Sequence, residues 1–230
     1  MMSYGELLKY IGSFERLQER INAAREKIEA GALKLEKTDR RITIFTQLFG
    51  ITDRAKMGIE YVLYSLDDAT IRARMFSGLD PKDFIQRLNG FVHFIFIEAN
   101  HVYFGLIEAF LRQVLRALEV NPETKFWKLS DQIVCRLEID KRWVEFLNFY
   151  AAVRNTQHNN GVFFPPNKKD QSFSYRGGSY QFAYGRPIHF LDGDLRLALF
   201  EDGNDFVLAV CESRKLGVIP VVEDPSHFEY

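Results

Sequence analysis

Two cysteines in 230 residues, Cys135 and Cys211, leave little room for thiol chemistry. Neither belongs to a C-x-x-C pair or a Cys/His cluster, so no zinc site and no redox couple is expected, and both read as reduced, partly buried thiols in apolar helical patterns. Net charge is equally scarce. Thirty Lys and Arg against 31 Asp and Glu leave −1, which excludes a polycation built to coat nucleic acid but not a local basic patch. A Walker-type glycine loop and a G-x-S-x-G elbow are missing from the sequence, as are repeats and low-complexity tracts. The most apolar stretch, GFVHFIFIEANHVYFGLIEAFL, carries two His and two Glu, so it reads as a buried helix of a soluble protein and not as a membrane span. The N-terminal MMSYGELLKYIGSFERLQER has charges throughout and no apolar centre. It does not read as a signal peptide, and a cytoplasmic location is the expectation.

What the chain has is aromatic mass: 21 Phe and 10 Tyr, enough apolar area for a sizeable core. Apolar residues recur at three and four over 3–36 (Leu7, Leu8, Ile11, Phe14, Leu17, Ile21) and again over 38–66, with an interruption expected at Gly50-Ile51-Thr52. A short polar helix over 67–76 stops at Ser77-Gly78. Asp80-Pro81 is a start signal for a helix reaching about Glu119, and Asn121-Pro122 stops it. Helices are expected over 127–138 and 140–160, the latter closed by Asn159-Asn160-Gly161 with the glycine as a left-handed cap. Beyond Phe164-Pro165-Pro166 two alternating runs flank Gly177-Gly178, predicting a hairpin with Arg176 paired to Ser179, Tyr175 to Tyr180 and Phe173 to Phe182. A short helical run over 192–201 is possible, and a further helix is expected over 203–216, stopped by Gly217 before an extended tail. The pattern predicts a mainly α protein: an up-and-down helical bundle over 1–165, with a β-hairpin, helix and tail over 166–230 packed on it.

The segment RNTQHNNG, residues 154–161, poses the chemical question. On a helical wheel at about 100° per residue Arg154 falls in the sector of Trp143, Leu147 and Tyr150, with Glu145, Asn148 and Thr156 opposite. A guanidinium where an apolar residue belongs is costly unless something pairs with it. His158 is one turn on, on the same face. A planar fork of donors suits a phosphate, and an imidazole moves protons near neutral pH, so the pair fits phosphodiester chemistry without a metal. The helix C-terminus is expected to favour the protonated imidazole. The alternative is a buried Arg held by a carboxylate, Glu98 or Glu108 being candidates, with His158 capping the last carbonyls.

The run Ala152-Val153-Arg154-Asn155-Thr156-Gln157-His158-Asn159-Asn160-Gly161 resembles the signature of the HEPN superfamily, all-α domains that include metal-independent endoribonucleases of bacterial defence and toxin–antitoxin systems. It is most similar to a set of uncharacterised bacterial HEPN-like proteins. The resemblance implies catalytic roles for Arg154 and His158, an orienting role for Asn155, and a homodimer in which two motifs line one cleft. It also implies no cofactor, and as partners RNA and an antitoxin or other protein. Arg87-Leu-Asn-Gly-Phe-Val-His93 has similar end residues, but six positions place Arg87 and His93 about 240° apart, on different faces, and it is set aside.

Four further residues are candidates for substrate binding. Lys168 and Lys169 follow the motif and suit a phosphate, while Tyr175 and Tyr180 in the hairpin suit unpaired bases, with packing as the alternative for the aromatics. Glu98-Ala-Asn-His101 matches half of a di-iron helical motif, but no second copy exists in the sequence. The stripe Glu98, His101, Gly105, Glu108, Arg112 reads instead as the one wet face of a mostly buried helix. The functional expectation is an RNA-binding protein or metal-independent endoribonuclease. The alternatives are a non-enzymatic interaction protein with a structural Arg/His cluster, and nucleotide binding without cleavage.

Overall fold

The structure, a computed structural model, describes residues 3–31, 34–78 and 80–225. Among these, seven α-helices and one two-stranded antiparallel sheet appear in the order α1 (Tyr4–Glu29), α2 (Arg40–Asp67), α3 (Ala69–Phe76), α4 (Pro81–Ala117), α5 (Phe126–Leu137), α6 (Arg142–His158), β1 (Gln171–Tyr175), β2 (Gly178–Phe182) and α7 (Gly193–Cys211), with a 3₁₀ turn at Leu216–Val218. The protein is mainly helical. Local signals set most of the starts: Ser3 and Glu6 close a capping box on α1, and Asp39, Asp68, Asp80 and Asp192 cap α2, α3, α4 and α7.

Several boundaries differ from the sequence pattern. α1 stops at Glu29, short of residue 36, and Ala32 and Leu33 lie outside the described residues, as do 226–230 of the tail. α2 runs unbroken through Gly50-Ile51-Thr52 because Ile51 and Thr52 are buried and the Thr52 hydroxyl donates to the Phe49 carbonyl, so packing outweighs the capping signal. The two segments expected after the hairpin are one helix, α7, which continues through Gly203 and ends at Cys211. A glycine is needed there because a Cβ would lie 2.8 Å from the Tyr103 ring.

α7 is no appendage. Its Phe200 packs on Phe14 of α1 and Tyr103 of α4, and Tyr103 donates to the Phe200 carbonyl at 2.9 Å. One core cluster runs from Leu7 to Val222. The tail is strapped to the start of α2: Arg41, 2% exposed, donates to both oxygens of Asp39 and to the carbonyls of Leu216, Ile219 and Pro220. Arg40 and Thr43 both donate to the buried Asp224. α4 is the one helix among the described residues long and apolar enough to cross a bilayer. Its Val92, Phe96, Tyr103, Ile107 and Phe110 are buried in the shared core. Of the cysteines, Cys211 is buried, but Cys135 is exposed.

The hairpin register is Phe173 opposite Tyr180 and Tyr175 opposite Gly178, displaced by two residues from the expected pairing. The turn residues are Arg176 and Gly177, both with positive φ (46° and 77°), a type I′ geometry that matches strand twist. Arg176 tolerates this because Asp202 and Glu201 of α7 hold its guanidinium. A two-residue displacement keeps side chains on the same face, so the aromatic face survives. It packs on Phe149 of α6, with ring centroids at 4.7 Å for Tyr175 and 4.9 Å for Tyr180.

Candidate functional site

α6 is buried nearly all round. Trp143, Phe146, Leu147, Phe149, Tyr150, Ala152, Val153 and Thr156 are all buried, so the wheel's solvent side holds for the exposed Glu145 but not for Thr156, which is fully enclosed and donates to the Ala152 carbonyl at 2.7 Å. The helix reaches solvent at Arg142 and Glu145 in its first turn and again in its last turn. Arg154 is half-buried, and Asn155 and His158 are exposed. The helix then closes with Asn160 and Gly161 in the left-handed region (φ 54° and 82°), and the Gly161 amide donates to the Thr156 carbonyl.

Arg154 has no carboxylate within ion-pairing distance among the described residues. Its Nη1 donates to the Asn155 Oδ1 at 3.2 Å, its guanidinium lies 5.6 Å from the Phe104 ring centroid, and its Nε is buried without a partner. Glu108 does not hold it, being paired to Arg112 at 2.6 Å. The carboxylate-held arginine considered from the sequence is therefore not what the structure contains.

His158 meets a residue that the sequence pattern assigned to a solvated stripe. The rings of His101 and His158 stack with centroids 4.1 Å apart and planes 4° from parallel. Both imidazoles are held below their ordinary range. For His101 the causes are desolvation, then the neighbouring His158; Glu98 opposes them, the Arg154 charge adds to the lowering, and a hydrogen bond with the Arg154 backbone works against it. For His158 they are desolvation and then Arg154, again opposed by Glu98. The expectation that the helix terminus raises the His158 pKa is thus corrected: the nearby guanidinium and the partial loss of water outweigh the helix dipole.

The stacked pair lies in a cleft of about 650 Å³, lined by α4 (His93, Ile97, Glu98, His101), the end of α6 (Gln157, His158, Asn160, Gly161) and the approach to α7 (Ile188, Leu191, Arg196). Backbone hydrogen bonds build this wall. The Ile188 amide donates to the Gly161 carbonyl, the Phe163 amide donates to the Arg186 carbonyl, and Val162 bridges Pro187. These contacts bring the start of α7 alongside the end of α6, and with it Arg196. Gln157 is fixed by Asn100, whose amide donates to it at 2.8 Å.

The other expected residues separate from this cleft. Tyr175 is buried against Phe149 and donates to Asp202 Oδ2 at 2.6 Å, so it is a packing residue and not a platform for a base. Tyr180 is half-buried between Phe149 and Phe190. Lys168 and Lys169 are exposed in the loop before β1, and neither lines the cleft. His101, His93 and Arg196 are the residues that sequence reasoning missed. A signal existed for the histidines, since positions 93, 97 and 101 follow one another at four residues and share a helical face. Among the described residues no three His, Cys, Asp or Glu side chains are grouped closely enough to hold a metal ion.

No protein-family model matches the chain, and neither does any curated protein or solved structure.

Proposed function

We propose that the protein is a HEPN-like RNA-binding protein and metal-independent endoribonuclease, a homodimeric cytoplasmic effector of the defence or toxin type. The observation that carries the reading is the stacked His101–His158 pair in a cleft, beside the Arg154 of the RN…HNNG run. Two imidazoles this close disfavour double protonation, so over a range of pH the pair shares one proton. One neutral ring and one protonated ring are what RNA transesterification needs. His158, the exposed member, holds that proton, and its charge keeps the more buried His101 neutral. His101 takes the proton of a 2′-OH. The 2′ oxygen attacks the adjacent phosphorus, and the bond to the 5′ oxygen breaks. His158 gives its proton to that leaving oxygen. The products are a 2′,3′-cyclic phosphate and a 5′-hydroxyl, and no metal takes part. Arg154 acts through its charge, keeping the pair from binding a second proton, and Asn155 orients it through the Nη1 hydrogen bond.

The test is cleavage of single-stranded RNA in the presence of a chelator. His158→Ala and His101→Ala are each expected to lower the rate by at least about a hundredfold, the lower range for a positioned general acid or base. Cleavage by both variants at the wild-type rate would overturn the assignment. A second reading, a non-enzymatic interaction protein, is favoured by one observation. α2 meets α4 where Gly58 faces Ile95, and next to that crossing Met57, Tyr61, Phe91 and Phe94 are exposed.

A further inference from the structure

The proposed reaction leaves the substrate's negative charge unaccounted for, because Arg154 does not line the cleft and its guanidinium is turned to Asn155 and Phe104. Another cation does line it. Arg196, in the first turn of α7, is 3% exposed and has no carboxylate within ion-pairing distance among the described residues. Asp194, two residues before it, is paired to Lys9 at 2.6 Å, and Asp192 is engaged as the cap of α7, accepting from the Leu195 amide at 2.8 Å. The Arg196 Nη2 lies 3.4 Å from the Nδ1 of His93, and its Nη1 is buried with no hydrogen-bond partner among the described residues. Burial pushes its pKa down to about 10, against the pull of Asp192 and Tyr10.

A buried guanidinium of this kind lacks the counter-charge that normally offsets its desolvation. The open side of its environment is the cleft, whose only carboxylate is Glu98. The two donors at its edge, a guanidinium fork and an exposed imidazole, are the pair that suits a phosphoryl oxyanion. We propose that Arg196 and His93 form an oxyanion site that binds a phosphoryl group, in the same cleft as the stacked histidines. The phosphate takes the place beside Nη2 that the His93 ring nitrogen now holds, and gives Nη1 the partner it lacks. His93, on the exposed surface of α4, turns to donate to the same group. That the phosphate belongs to an RNA strand rests on the reading above; that the site takes a phosphoryl oxyanion does not.

The test uses the wild-type chain with inorganic phosphate and, separately, with a uridine dinucleotide, against chloride at matched ionic strength. The His93 ring resonances are followed by NMR, and affinity is measured by calorimetry. Both ligands are expected to shift His93 saturably, and Arg196→Met is expected to weaken each by at least about tenfold, the loss of a charge-assisted hydrogen bond. Arg196→Met is also expected to melt no lower than wild type, since it removes an unpaired buried charge, whereas an arginine serving only the fold would cost stability on removal. Saturable binding of phosphate but not of the dinucleotide supports the oxyanion site and counts against the RNA reading alone. A His93 that responds to phosphate no more than to chloride, or an Arg196→Met chain that binds as tightly as wild type, overturns the proposal.

Discussion

Replacing Arg154 by Met distinguishes the two roles that its position in the sequence allows. The substitution keeps the length and removes the charge. On the debit side, the guanidinium's contact with the Phe104 ring is worth about 0.5–1 kcal/mol. Its hydrogen bond to an exposed asparagine adds about 0.5–1.5 kcal/mol. Against these, the buried Nε has no partner, and removing it relieves about 1–3 kcal/mol of uncompensated desolvation. The terms nearly cancel, so stability is expected to change by no more than about 1 kcal/mol. An arginine held by a buried carboxylate would instead cost about 3–5 kcal/mol. The second expectation concerns the imidazoles. Arg154 depresses both His101 and His158, so in Arg154→Met both midpoints move up towards the ordinary histidine value. Denaturant unfolding measures the first quantity and an NMR titration of the ring protons the second. Destabilisation beyond about 3 kcal/mol, or midpoints that stay where they are, would refute the reasoning.

Two further outcomes follow from the fold and from the site. Arg41→Ala strands the buried Asp39 carboxylate and frees the tail carbonyls, and is expected to cost about 3–5 kcal/mol in denaturant unfolding; a loss under about 1 kcal/mol would show that the strap contributes little. His93, His101 and His158 all have folded pKa values below their ordinary one. As pH falls, the unfolded chain takes up these protons first. The stability they contribute is therefore complete above about pH 6.5 and is lost as pH drops through the lower folded values. Melting temperature is expected to fall across that window, and less steeply in a His101→Gln, His158→Gln double variant; equal slopes would contradict the assignment.

The helices were legible from the repeated apolar spacing of their faces and, for α4, from Asp80-Pro81; the caps at Asp39, Asp68 and Asp192 were not read as starts. The break expected between 201 and 203 is absent: α7 runs through it, and Gly203 lets Tyr103 and Ile107 approach the helix. The hairpin was foreseen and its register was not, because the left-handed turn position falls on Arg176, which only the acids of α7 make tolerable. Arg154 and His158 stood out as polar residues in an apolar helix. By the same rule Arg196, alone in the apolar run LRLALF, was equally visible, and nothing in the linear sequence ties it to His93 more than a hundred positions away. The stacking of His101 on His158 is likewise a product of how α4 meets α6. The wheel for α6 failed at Thr156 because it assumed one continuous wet side, whereas α4, α5 and the hairpin cover the helix on several sides.

The most direct measurement of the central claim is cleavage, in chelator, of an RNA and of the same strand carrying 2′-deoxy sugars at the sites of cutting, with the product ends read by mass spectrometry. Attack by a 2′ oxygen activated at the His101–His158 pair predicts that the ribose strand is cut to 2′,3′-cyclic phosphate and 5′-hydroxyl ends, and that the deoxy strand stays intact. A deoxy strand cut at the same rate, or ends carrying a 5′-phosphate, would contradict it.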